Sequence, residues 1–318
     1  MQTPRKLSVC SDLLGPLCRL RYLDILAMLI DKRYKQENGW YTALAERPDE
    51  NDELISCLNE MWALYEPYAD SNFSSGFAHD PFARYWEMCL AIRLLNEGKQ
   101  LLKKDELKKN APNPDICVIE KTCKVWIEAV CPTEGDSEVH GVRPPKNRTM
   151  GAIPEQQAML RISQGIATKI AAFSKYLEDG VIANTDIILI AVNTGHFGIL
   201  TNDDEYPLAV RCVFPAGNEI ISFDSKTGQQ QGPISSVYEN TIQKGEVDIP
   251  KPLFEDPANS SISGLIYSRT GLGTDPNNPR QLLHINNPYA DNQLAENWID
   301  WDKEMRASIT NNGIQIER

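Results

Sequence analysis

The stretch that decides the fold reads PDICVIEKTCKVWIEAV and covers residues 114–130. Residues 115–119 are enriched in β-branched side chains, and residues 124–130 form a second run of the same kind. The short polar segment between the two runs suits a turn, so the stretch predicts a β-hairpin. Asp115 begins the first strand of this hairpin, and Glu128 lies on the second.

The segments on either side of the hairpin predict two helices and a buried strand. One helix is predicted over residues 81–96. A longer one covers about residues 154–179 and starts with proline, which is favoured at a first helical position. Residues 187–192 form a nearly unbroken apolar run, which is typical of a strand covered on both faces. The order helix, hairpin, helix, strand predicts an α/β fold with a mixed central sheet flanked by helices.

The remainder of the chain divides into two regions. Apolar residues recur at helical spacing within residues 12–66, whereas the polar stretch 67–81 predicts a loop. We therefore expect a helical N-terminal region over residues 1–75. Residues 76–318 are expected to form the α/β domain with a C-terminal extension.

Several further elements are expected after the second helix. Strands are predicted at residues 209–214, 264–267 and 282–285. The acidic segment around Trp298 and Trp301 predicts a packed amphipathic helix, and a partner-binding element is the alternative.

The composition limits the class of protein. The 318 residues are 42% hydrophobic, which suffices for one large domain or two modest ones. No segment approaches the roughly 20 uninterrupted apolar residues of a membrane span, so no membrane association is expected. The eight cysteines are scattered without zinc-site spacing. Since no export signal is recognised, we expect a reducing, cytoplasmic setting.

The charge of the chain is unevenly distributed. The formal net charge of −12 disfavours a protein that binds nucleic acid over much of its surface, because binding to phosphates requires positive charge. Residues 81–180, however, contain 15 Lys and Arg against 13 Asp and Glu, a net of +2. In this segment Arg143, Lys146 and Arg148 form a basic loop that is a candidate for phosphate contact, the alternative being an ordinary solvated loop.

Asp115 and Glu128 are the candidate metal ligands. Mg²⁺ prefers oxygen ligands and usually takes one or two carboxylates, with water and substrate phosphate completing its shell. Adjacent strands can hold two carboxylates close enough to share one ion. The pair therefore indicates a site for Mg²⁺ or Mn²⁺, which would activate water for attack on a phosphate.

The order Pro114, Asp115, twelve residues and Glu128 resembles the PD-(D/E)XK superfamily of restriction-endonuclease-like nucleases. That resemblance implies a core in which an Asp begins one hairpin strand and an acidic residue lies on the next, with a Lys two positions later. The chain departs from the pattern at the Lys, since that position is Val130. The likeness covers about residues 80–195 and is greatest to uncharacterised bacterial members with a Trp-Ile-Glu-Ala-Val strand.

Glu87 is a third candidate ligand, on the helix that precedes the hairpin. The resemblance implies that a Glu on this helix joins the site. On a helical wheel its neighbours include Leu90 and Leu94, and a carboxylate among apolar side chains is costly unless it is paired or bound to metal. The ordinary alternative is that Glu87 is paired with Arg84.

The helix after the hairpin is a second source for the basic residue that position 130 lacks. Some members of the superfamily carry it there, and this helix contains Arg161, Lys169 and Lys175. Lys169 lies at the edge of the apolar stripe and is the candidate for the displaced basic residue, which would orient or deprotonate water, whereas Lys175 points away. The alternative is a Lys with a solvated head. Arg161 is a candidate for substrate binding.

Three functions remain in competition. The first is a metal-dependent phosphodiesterase that hydrolyses DNA or RNA. The second is a catalytically degenerate protein of the same fold that serves as a binding or regulatory module, which Val130 and the acidic charge favour. The third is an unrelated α/β protein, since a likeness of fold does not establish function.

Overall fold

The computed structural model describes residues 29–31, 34, 38–107, 112–135, 141–142, 154–197, 206–232, 235–274, 282–310 and 313–317. The helices of this part of the chain are α1 (Gly39–Glu46), α2 (Asp52–Tyr65), α3 (Phe73–His79), α4 (Pro81–Asn96), α5 (Glu155–Glu178) and α6 (Leu208–Val213). The strands are β1 (Gln100–Leu101), β2 (Ile116–Ile119), β3 (Lys124–Val130), β4 (Ile187–Asn193), β5 (Ala216–Ile220), β6 (Ser235–Tyr238), β7 (Thr241–Lys244), β8 (Val247–Pro250), β9 (Gly264–Ser268), β10 (Leu283–Asn286), β11 (Lys303–Thr310) and β12 (Gly313–Glu317).

Eight of these strands form one mixed sheet, in the order β1-β2-β3-β4-β9-β10-β11-β12. The hairpin strands β2 and β3 pair antiparallel, whereas β3, β4 and β9 run parallel to one another. The antiparallel pair is joined by a short turn, and the parallel step from β3 to β4 is made by helix α5, as parallel connections require. The expected α/β fold with a mixed central sheet and flanking helices is confirmed.

Helices cover both faces of the sheet. Helices α1–α4 share a core with one face, where Val125 and Ile127 of β3 are fully buried. Helices α5 and α6 share a second core with the other face, which Trp126 joins. Because side chains alternate along a strand, Glu128 lies on the same face as Trp126 and points toward α5. None of the described helices is long and apolar enough to cross a lipid bilayer.

Residues 67–81 are largely helical, so the loop predicted there is wrong. Helix α3 occupies Phe73–His79, and the expected boundary between residues 75 and 76 falls inside it. Phe73 and Phe77, one turn apart, are both fully buried. Burial of these two rings outweighs the weak helix propensity of the Ser- and Gly-containing sequence around them.

Two predictions near the C-terminal half are also wrong. Residues 209–214 form helix α6 rather than a strand, and every residue of this helix is buried. An apolar run of this length has no periodicity that separates a strand from a buried helix. The segment around Trp298 and Trp301 is irregular rather than helical. Each indole is fixed separately: Trp301 stacks on His284 at 4.9 Å between ring centroids, and Trp298 donates a hydrogen bond to Glu120.

Candidate functional site

The hairpin register brings Asp115 and Glu128 together. Ile116 pairs with Ile127, so Asp115, the residue before β2, lies at the same end of the hairpin as Glu128. The Asp115 carboxylate also accepts a hydrogen bond of 2.8 Å from the backbone N–H of Ala129. That bond fixes its position at the end of the hairpin.

Glu128 is held by two side chains of helix α5. The Tyr176 hydroxyl donates to its Oε1 at 2.8 Å, and the Lys169 ammonium forms an ion pair with its Oε2. The same ammonium lies 3.8 Å from an oxygen of Asp115. The Glu128 side chain is only 4% exposed, whereas those of Lys169 and Asp115 are both 22% exposed. Lys169 therefore reaches both carboxylates of the hairpin.

The packing of α5 explains why Lys169 lies beside these two carboxylates. Ile166 and Phe173, on either side of Lys169 along one helix face, are fully buried. One turn before Lys169, a Cβ added to Gly165 would lie 3.3 Å from Cγ2 of Val130. The glycine thus lets the helix backbone come close to the end of β3. The centre of the buried face of α5 lies closer to Lys169 than the centre of the apolar stripe that the sequence predicts does.

The other basic candidates lie elsewhere. Lys175 is exposed, as its position on the wheel predicts. The guanidinium of Arg161 lies against the backbone of Gly135, and within the described residues it makes no hydrogen bond or ion pair with the carboxylates. The proposed phosphate-binding residues of the basic loop lie outside the described residues, namely Arg143, Lys146 and Arg148.

Glu87 approaches the site from the opposite layer, on α4. Its side chain is 6% exposed and accepts a hydrogen bond of 2.5 Å from the Tyr65 hydroxyl. Arg84 donates to the other oxygen at 2.7 Å and also pairs with Asp70 at 3.3 Å. The ordinary partner considered for Glu87 is therefore present, although Glu87 is also close enough to Asp115 to feel its charge.

The electrostatics join the three carboxylates into one cluster. Burial raises the pKa of Glu87 to about 8 and that of Glu128 to about 7, and the negative charge of Asp115 adds to both increases. Burial lowers the pKa of Lys169, but the charges of Asp115 and Glu128 raise it by more, so this pKa lies above its ordinary value. Among the described residues, the cations paired with this cluster are Lys169 and Arg84.

The chemistry of this donor set fits a hard divalent cation. Carboxylate oxygens are the ligands that Mg²⁺ and similar ions prefer, and one or two carboxylates usually suffice when water completes the shell. As they stand, however, no three His, Cys, Asp or Glu side chains in the described ranges are grouped so as to hold an ion. Asp115 and Glu128 would hold the metal, with Glu87 as a third carboxylate, but Lys169 now engages the first two.

Comparisons of the chain with models of protein families, with curated proteins and with solved structures find no match. The functional conclusions therefore depend on the geometry of the chain itself.

Two residues of the cluster escaped sequence reasoning. Tyr176 follows Lys169 by seven residues, a spacing of two helical turns that sets both on one face and could have identified it. Tyr65 occurs in the apolar stripe of α2, where a tyrosine is read as core. Its partner Glu87 is on a different helix, so no local spacing connects the two.

Proposed function

We propose that the chain is a metal-dependent phosphodiesterase that hydrolyses DNA or RNA. The observation that carries the proposal is the contact of Lys169 with both Asp115 and Glu128. Val130 has no charge to orient water or to stabilise an anionic phosphate. Helix α5 supplies the missing basic group beside the two hairpin carboxylates, which is the displaced arrangement that the resemblance to PD-(D/E)XK nucleases implies.

Each residue of the cluster has a distinct role in this proposal. Asp115 and Glu128 hold Mg²⁺ or Mn²⁺, and Glu87 assists. When held there, the ion would supply Lewis-acid chemistry that activates water and neutralises charge on the phosphate. Because Asp115 and Glu128 keep its pKa high, Lys169 retains its proton at Nζ near neutral pH. It therefore orients water or phosphate as a hydrogen-bond donor rather than accepting a proton.

The surroundings of the site are compatible with a nucleic acid substrate. The site lies in the segment of positive net charge, residues 81–180, whereas the rest of the chain is acidic. Arg161, two turns before Lys169 on α5, is the described residue proposed to contact phosphate. The described cysteines are free thiols, which fits the cytoplasmic location that we propose.

A second candidate function is a degenerate, non-catalytic module of the same fold. Lys169 and Arg84 already pair with Glu128 and Glu87, so the carboxylates are partly neutralised without any metal. In such a module these ion pairs would be structural, and metal would change neither stability nor activity.

A hydrolysis assay separates the two functions. Supercoiled plasmid, single-stranded DNA and single-stranded RNA are incubated with the protein and millimolar Mg²⁺ or Mn²⁺. The proposal expects cleavage of at least one substrate that chelator abolishes and that Asp115→Asn removes. The exposed Asp105 provides the matched control, since Asp105→Asn should cleave like the wild type. Cleavage that persists in Asp115→Asn, or no metal-dependent cleavage of any of the three, would contradict the proposal.

A further inference from the structure

The cation nearest to the paired carboxylates belongs to the protein itself. The Lys169 ammonium contacts Oε2 of Glu128 and lies 3.8 Å from Asp115. An ammonium that is paired with these carboxylates repels an approaching divalent cation. Lys169 therefore acts on the metal site before any substrate arrives.

We infer that Lys169 is an internal counter-cation that competes with a divalent metal ion for Asp115 and Glu128, so that metal binds only as Lys169 withdraws. This inference rests on the proposed metal site and says how that site is regulated. The Lys169 ammonium makes the metal affinity of the wild type lower than that of the same two carboxylates without it.

The carboxylates are held in place independently of Lys169. The Tyr176 hydroxyl anchors Oε1 of Glu128, and the N–H of Ala129 anchors Asp115. Both anchors persist when the ammonium leaves, so the pair stays assembled. An incoming metal ion would meet ligands that are already oriented.

The Lys169 side chain also has access to solvent. Its side chain is 22% exposed, in contrast to the nearly buried Glu128. A lysine stem has four rotatable carbons, and its ammonium is strongly hydrated in water. Lys169 can therefore release the carboxylate oxygens while it stays at the exposed side of the site, and this movement leaves neither a buried cation nor an unfilled core position.

The charge balance sets the direction of the exchange. An ammonium brings one positive charge to Asp115 and Glu128, whereas Mg²⁺ or Mn²⁺ brings two, so the carboxylate pair attracts the divalent ion more strongly. Without either cation, Glu128 would be a buried carboxylate lacking its ion pair, which is strongly destabilising. Removal of Lys169 should thus weaken the metal-free protein and strengthen metal binding at once.

The test compares Lys169→Met with Lys175→Met, whose parent residue is exposed on the same helix. Full-length wild type and both variants are melted in EDTA and then titrated with MnCl₂ by calorimetry. We expect Lys169→Met to melt at a lower temperature in EDTA. Its Mn²⁺ affinity should be about tenfold tighter than that of the wild type, within the range of coupling between linked sites. Lys175→Met should match the wild type in both measurements.

The outcomes distinguish this inference from the proposed function. Equal or weaker Mn²⁺ affinity in Lys169→Met, with clear binding by the wild type, overturns the competition and leaves the metal site standing. Absence of Mn²⁺ binding in all three proteins overturns both. If Lys169→Met does not fold, Lys169→Gln measures the same quantity, because it retains a hydrogen-bond donor for Glu128 and removes only the charge.

Discussion

Gly165 and Val130 meet where helix α5 packs on the end of strand β3. A Cβ on Gly165 would lie 3.3 Å from Cγ2 of Val130, closer than most such contacts. Val130 faces α5, as Glu128 does, so a lysine at position 130 would project toward this crowded contact. The same close approach carries Lys169, one turn further along α5, to the carboxylates. The packing that crowds position 130 is thus the same packing that brings Lys169 to the carboxylates.

Widening this contact should displace Lys169. Gly165→Val introduces side-chain atoms against Val130, and overpacking of this kind typically costs about 1–3 kcal/mol of unfolding free energy. Valine is no worse than glycine in a helix on intrinsic grounds, so any loss reports crowding. Urea denaturation in EDTA measures it. Ala167→Val, on the exposed face of α5, should lose less than about 1 kcal/mol. Equal losses in the two variants would show that the contact is not tight.

Removal of the Tyr176 hydroxyl should leave one oxygen of Glu128 without its donor. We expect Tyr176→Phe to lower the unfolding free energy by roughly 1–3 kcal/mol, the usual cost of a buried group without its hydrogen bond. Tyr238 is 70% exposed, and Tyr238→Phe is the matched control that should change little. Equilibrium denaturation of both variants tests this, and a wild-type stability for Tyr176→Phe would argue against the anchoring role.

The unfolding free energy of the metal-free protein should depend on pH because Glu87 ionises. Its pKa is raised to about 8, so the folded state resists ionisation of this group. The penalty is absent below the unfolded-state pKa, grows as pH rises, and is complete above the folded-state pKa. Glu87→Gln cannot ionise. Its unfolding free energy relative to the wild type should therefore rise from about pH 5 to about pH 9.

Denaturation in EDTA across this pH range is the measurement for Glu87. Glu178→Gln, at an exposed position of α5, is the matched control, because it removes a carboxylate that is not buried. A constant difference between Glu87→Gln and the wild type would mean that Arg84 keeps Glu87 ionised and that its pKa is ordinary.

The catalytic part of the account depends on Lys169. If this residue orients water or phosphate, Lys169→Ala should lower phosphodiesterase activity by about 10²–10³-fold, as for loss of one positioned hydrogen-bond donor to a developing negative charge. Lys175→Ala should retain nearly full activity because Lys175 points to solvent. Single-turnover cleavage of the best substrate at saturating Mn²⁺ compares them. Equal rates for the wild type and Lys169→Ala would remove Lys169 from the mechanism.

Local sequence information predicted the hairpin and its carboxylates well. A short turn fixes the register of β2 and β3, and that register alone brings Asp115 beside Glu128. The period of α5 likewise separated Lys169 from Lys175, since the helix has one face toward the sheet. These relationships involve neighbouring elements whose geometry is set by a repeat of two or 3.6 residues.

The sequence did not predict features that depend on packing between elements distant along the chain. Helix α6 is apolar on all sides, so its pattern carries no period. Tyr65 and Glu87 belong to different helices, and their hydrogen bond depends on how α2 crosses α4. The segment with Trp298 and Trp301 has an amphipathic pattern, yet Trp301 stacks on His284 of β10 and Trp298 bonds to Glu120 of the hairpin turn.

The central claim is that Asp115 and Glu128 together hold a metal ion. Its most direct test is anomalous diffraction from crystals grown in millimolar Mn²⁺. The account predicts a manganese peak between these two carboxylates, with oxygens at about 2.0–2.6 Å as for hard divalent cations, and no peak there in Asp115→Asn. A well-ordered site in which Lys169 still pairs with Glu128 and no manganese peak lies beside them would contradict it.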